Sequence, residues 1–191
     1  MQNFNNDMNS AKPRQRRPQK KITPKRLKNI GLFYLQRFES SVENLRTVLR
    51  KRVDAYVREN KEFNKNEAYQ WIEDVLTEFV NLHYLDDNRF AEMKVRNYLN
   101  AGKPVRYIQN KLREKGISAA TTEAILATQE YDQTAMALKF AKRKKLGPYR
   151  ADEKLRDEFH QKDMGTLVRA GFDYDVVCEI LNYDETLLPE F

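Results

Sequence analysis

Two adjacent carboxylates (Asp86-Asp87), two histidines (His83 and His160) and a single cysteine (Cys178) are the side chains of this 191-residue sequence that could hold a metal or make and break bonds. Paired carboxylates can share a proton or a divalent cation. Neighbours at the start of a helix diverge, however, and Asp86 is placed to cap one. The histidines have no second ligand at helical spacing, which speaks against a zinc set. Cys178 stands among Val176, Val177 and Ile180 and reads as a small apolar residue. One cysteine also excludes a disulfide scaffold. There is no glycine-rich phosphate loop and no Ser/His/Asp arrangement. The sequence therefore predicts no enzyme, no cofactor and no metal.

What remains is binding by charge. The formal charge is +7, and it is unevenly placed. Residues 1–28 hold nine Lys and Arg, among them Arg14, Arg16 and Arg17, against one acid, while residues 29–191 are almost neutral. Within that body, residues 139–156 carry eight basic and two acidic residues, and residues 157–191 carry two basic and nine acidic. Two clusters can meet a polyanion. One is Arg96, Lys103, Arg106, Lys111, Arg113 and Lys115; the other is Lys139, Lys142, Arg143 and Lys144, followed by Lys145. The second run repels itself unless something anionic answers it. The candidates are the acidic segment that follows, DNA phosphates, or an acidic patch on a protein partner. Tyr107, beside Arg106, and Tyr149, beside Arg150, are the aromatics placed to stack on bases.

The elements that must carry these residues are helices. Six Gly and six Pro in the whole chain are too few for many tight turns. Residues 1–22 are polar and basic and predict a disordered tail. Thr23-Pro24 caps a first helix, Ser40-Ser41-Val42-Glu43 reads as a capping box for a second, and Trp71 to Leu82 forms a wide apolar arc on a third. Asp86, Pro104 and Ser118 open the next three. A seventh helix covers about 131–145 and is broken at Gly147-Pro148. An eighth runs from Asp152 to Gly171, and Asp173 caps a ninth. No stretch is apolar enough to cross a membrane and no secretory signal is visible, which predicts a cytoplasmic address.

The stop signals repeat. Leu112-Arg113-Glu114-Lys115-Gly116-Ile117 and Leu167-Val168-Arg169-Ala170-Gly171-Phe172 both read Leu-x3-Gly-apolar, each followed by a cap and a pair of apolar residues, Ile125-Leu126 and Ile180-Leu181. An earlier copy at Leu49-Arg50-Lys51-Arg52-Val53 has Val53 in place of the glycine, so its helix can run on. The expectation is an all-α fold: three tandem three-helix repeats, at 23–85, 86–130 and 131–191, stacked into an elongated, curved array behind the basic tail.

The stretch Tyr84-Leu85-Asp86-Asp87-Asn88-Arg89-Phe90-Ala91, then Val95-Arg96, Gly102, Arg106, Ile108, Leu112 and Lys115-Gly116-Ile117, resembles the central repeat of the RecX family, the regulators of the RecA recombinase. Leu35-Gln36-Arg37 with Ser41 and Leu45 resembles the first repeat, and Arg169-Ala170-Gly171-Phe172 the third. Ala170 stands where an Arg is usual, and Val53 where a Gly is usual. The resemblance covers about residues 24–182 and leaves out the basic tail. It implies a non-enzymatic monomer that lies in the groove of a RecA–single-stranded-DNA filament. There it would contact DNA, single-stranded or duplex, and lower ATP hydrolysis and strand exchange by the recombinase. Three-helix units also permit a helix-turn-helix regulator of duplex DNA, or a passive interaction scaffold.

Overall fold

The computed structural model describes residues 20–152, 154–183 and 188–189. Among them the chain is all helical: α1 (Pro24–Leu35), α2 (Val42–Glu59), α3 (Lys65–Asn81), α4 (Asp87–Asn100), α5 (Val105–Arg113), α6 (Ala119–Ala127), α7 (Gln133–Lys144), a 3-10 turn (Gly147–Tyr149), α8 (Lys154–Ala170) and α9 (Tyr174–Leu181). The starts are set by side-chain caps. Thr23, Ser41, Asn64, Asp86, Ser118 and Asp132 each accept a hydrogen bond from an amide in the first turn.

Three of the sequence expectations need correction. The cap of α2 is Ser41, not Ser40, so Glu43 sits too early to close a capping box; its carboxylate pairs with Arg46 instead. Asp173 stands at the cap of α9 but its side chain accepts no capping bond. Ile22, counted with the tail, is 4% exposed and packs in the first core. It precedes the Thr23 cap, and Leu27 at the fourth helical position is buried in the same cluster, the arrangement of a hydrophobic staple. Residues 1–19, with Arg14, Arg16 and Arg17, lie outside the described residues.

The apolar stripes bury into three separate cores. Leu27, Leu45, Leu49, Val53, Ile72 and Phe79 centre the first, Phe90, Val95, Ile108, Leu112 and Leu126 the second, and Leu138, Leu167, Phe172, Val177 and Ile180 the third. The extensive helix–helix packing lies inside α1–α3, α4–α6 or α7–α9. Loss of Ile22 removes roughly 1.5–3 kcal/mol of burial. Deleting residues 1–19 should therefore leave the melting temperature unchanged, whereas deleting 1–22 should lower it by several degrees. Equal melting of the two truncations would contradict the staple.

Successive units meet end to end. The last turn of α5 lies against the first turn of α2: Ser41 Oγ donates to the Lys115 carbonyl at 2.7 Å, Lys115 Nζ donates to Asn44 Oδ1 at 2.7 Å, and the Val42 amide donates to Asp87 Oδ1 at 2.9 Å. Arg89 pairs with Glu39 at 2.8 Å across the same junction. Gly116 sits here at φ +79°, and a Cβ on it would lie 2.5 Å from Glu43 Cβ. The next junction repeats the device. Gly171, ending α8 at φ +106°, faces the first turn of α5, and its Cβ would lie 3.3 Å from the Tyr107 nitrogen. The Leu-x3-Gly-apolar signature is thus a coupling device. Glycine closes one helix while letting the start of the preceding unit's middle helix approach, and the apolar residue after it, Ile117 or Phe172, is buried. At the matching position of α2 Val53 is buried in the first core and the helix continues to Glu59.

Candidate functional site

The second junction is where the cations gather. Tyr107 and Lys111 share a face of α5, and Lys103, in the link before the helix, reaches the same ring. The ring of Tyr107 lies 5.3 Å from Lys103 Nζ and 5.9 Å from Lys111 Nζ. Tyr98 packs edge-on against it with centroids 5.6 Å apart, which fixes the ring. Burial, with Tyr107 beside it, holds the Tyr98 phenol above its ordinary pKa, so it stays neutral. Beside this row a cleft of about 360 Å³ opens between the units. Arg106, Asn110 and Lys111 line it from α5, and Arg169 faces them from α8. One acid borders it: Glu114 accepts from Lys111 at 2.8 Å. Both groups are exposed, so the pair is weak and screened by salt and leaves the ammonium able to change partner.

A second cleft, of about 250 Å³, lies on the other side of the α4–α5 corner. Residues Leu99 to Gly102 form one wall, and Met136, Lys139, Phe140 and Arg143 of α7 the other. The Arg143 guanidinium rests 5.3 Å from the Phe140 ring. Lys103 lies in the α4–α5 link.

The sequence-predicted residues therefore divide. Arg106 and Lys111 line one cleft from α5, Lys103 stands before α5 beside the Tyr107 ring, and Lys139 and Arg143 line the other cleft. Lys142 and Lys144 are exposed but line neither cleft. Arg113 is exposed and bonded to Asn110, and Arg96 is exposed on α4; both stand outside the clefts. Lys115 belongs to the first junction, where its ammonium serves Asn44. Tyr149 is not a stacking platform, since its hydroxyl is buried within the third unit. Arg169 also lines the first cleft; its motif reads as a helix stop in sequence, and only packing brings it to the cleft that Arg106 lines.

The adjacent carboxylates singled out in the sequence both have partners in the fold. Asp86 caps α4 and Asp87 holds the start of α2. No group of three or more His, Cys, Asp and Glu could hold a metal there.

Comparison with known proteins follows these elements. The pattern of the second three-helix domain of RecX matches residues 86–126. The regulatory protein RecX of Myxococcus xanthus is 31% identical over 175 residues, covering 90% of this chain and 93% of that protein. The chain belongs to the RecX family. The RecX of Agrobacterium fabrum is 33% identical over 100 residues, about half of each protein. The RecX of Streptococcus pyogenes is 26% identical over 161 residues, 82% of this chain and 54% of its own length. Among solved structures, that of RecX from Lactobacillus salivarius superposes with a TM-score of 0.59 at 21% identity, over 83% of this chain and 94% of that one. A second, described as regulatory protein RecX, gives 0.61 at 22% identity over 84% and 72%. At these identities the structures establish the shared fold, a tandem all-α RecX fold. No helix among the described residues is long and apolar enough to span a membrane.

Proposed function

We propose that this RecX-family protein acts as a non-enzymatic monomer in the cytoplasm, regulating a RecA–single-stranded-DNA filament. The array lies along the filament groove, bridges neighbouring protomers and slows ATP hydrolysis and strand exchange. The observation that carries this reading is the second junction. A Lys-Tyr-Lys row and an Arg-lined cleft there present cations and one fixed ring to a polyanionic polymer. Units joined end to end suit a periodic partner, because each unit can meet a successive protomer. Lys103, Arg106 and Lys111 take phosphates or acidic side chains, Tyr107 takes a flat group, and Lys139 and Arg143 extend the contact from α7.

Titrating the protein into RecA on single-stranded DNA tests this. ATPase is expected to fall at near-stoichiometric amounts. Unchanged ATPase, with a discrete footprint on duplex DNA, would sink the reading in favour of a helix-turn-helix regulator. Arg106→Gln with Arg169→Gln should raise the amount needed for inhibition about tenfold, since one lost charge-assisted hydrogen bond costs about 1.4 kcal/mol or more. Replacing Lys139, Lys142, Arg143 and Lys144 together by Gln should weaken filament binding without unfolding. Undiminished inhibition by that variant would remove α7 from the interface.

A further inference from the structure

A further groove lies on the first unit, away from both clefts. It measures about 870 Å³ and runs between the segment before α1, α1 itself and α2. Its charged lining is Lys20, Lys21, Lys25, Arg26 and Arg52, with no carboxylate. Helix α1 contains no acidic residue at all. Its Lys28 points elsewhere, pairing with Glu78 of α3.

Along α1 the groove has an order. Lys25, Asn29 and Phe33 stand at successive four-residue spacings along α1, and Arg37 follows in the turn that ends it. Phe33 is 56% exposed, although it is a large apolar side chain. The Arg37 guanidinium lies 4.2 Å from its ring centroid and steadies it. Arg26 Nε is buried with no hydrogen-bond acceptor, an unfilled donor beside the cations. Arg52 approaches from α2. In sequence, Lys12, Arg14, Arg16 and Arg17 precede Lys20 and Lys21.

We propose that this groove is a second nucleic-acid site, holding the sugar–phosphate backbone of single-stranded DNA with a base stacked on Phe33. The cations without a carboxylate call for a polyanion. The exposed ring within the cation row selects nucleic acid over an acidic peptide, because every base offers a π face and an Asp or Glu side chain offers none. It selects a single strand over a duplex, because base faces are free only when unstacked. The array would then grip a strand at two places, at its first unit and at its second junction. The proposal rests on the reading of this chain as a protein that works on DNA filaments.

The test is fluorescence anisotropy of labelled oligo-dT with the full chain, across a range of salt and with no recombinase present. Lys25→Gln, Arg26→Gln and Arg52→Gln together should weaken binding at low salt at least tenfold. They should also shrink the salt slope by about 2, at about 0.7 per phosphate contact. Phe33→Ala, at an exposed position that leaves the fold intact, should weaken oligo-dT binding about fivefold or more and leave duplex binding alone. An unchanged slope in the triple variant overturns the site. So does an equal loss on single-stranded and duplex DNA with Phe33→Ala, or binding of poly-glutamate as tight as that of oligo-dT. Because the assay lacks recombinase, its failure leaves the ATPase test standing, and the reverse holds as well.

Discussion

Gly116→Ala is expected to cost several times more stability than Gly102→Ala, although both glycines have nearly the same backbone conformation. Gly102 has φ +63° and nothing within 4 Å of where a Cβ would be. Alanine there meets only left-handed strain, about 1 kcal/mol, partly offset by a stiffer unfolded chain. Gly116 has φ +79°, and its new methyl would meet Glu43 Cβ at 2.5 Å and Cγ at 3.1 Å. The Cβ of a residue in the first turn of α2 cannot swing aside; the helix start itself would have to move. Overpacking of this kind adds about 1–3 kcal/mol. The move would also stretch the three hydrogen bonds that tie Ser41, Val42 and Asn44 to the second unit. Because the cores are separate, the loss should show as an earlier melting step of the first unit and as faster amide exchange at the start of α2. Two alanine variants with the same melting curve would mean that the junction carries no energy.

Much of this architecture was legible in the sequence, because caps and stripes are local. Thr23, Asp86, Pro104 and Ser118 open helices where their types and followers say they should. The glycine repeat was legible too, but its purpose was not. That Val53 can replace the glycine follows from position: it lies inside α2, which runs on to Glu59, and its side chain fills the first core. Asp87 reads locally as a carboxylate favoured by the positive end of α4, yet its partner is the Val42 amide, 45 residues upstream. Charge runs do not show how packing divides them. The cations of α7 read as one cluster, and the helix sends them to different sides. Lys115 was grouped with the binding cations, while its ammonium is held by Asn44. The groove cations Lys20, Lys21, Lys25 and Arg26 belong to the basic run that opens the sequence, and only the packing of α1 on α2 adds Arg52 to them.

Asp163→Ala should be the most damaging single change in the third unit. Asp163 is 1% exposed on α8. Its Oδ2 accepts from the Gly147 amide at 2.9 Å and from Arg150 Nε at 2.7 Å, and its Oδ1 accepts from Arg150 NH2 at 2.6 Å. This clamp holds the turn after α7 against α8, so it sets how α7 presents Lys139 and Arg143. Removing the carboxylate strands an arginine and a buried amide, which costs about 3–5 kcal/mol for a buried pair. Arg150 keeps some access to water, so the lower end applies. Asp163→Asn preserves an acceptor for Gly147 and should cost less. The pH dependence has a definite sign. Burial raises the Asp163 pKa, but Arg150, the Gly147 amide and Lys162 outweigh burial and hold it below the ordinary 3.8. A depressed carboxyl stabilises the fold fully above its unfolded value and loses that stabilisation as pH falls through the folded one. Wild-type melting temperature should therefore fall on acidification below about pH 4. Asp163→Asn, already lacking the charge, should show a flatter curve over that range. Parallel curves for the two proteins would show that Asp163 titrates alike in the folded and unfolded chains, so that the clamp lends the third unit no pH-dependent stability.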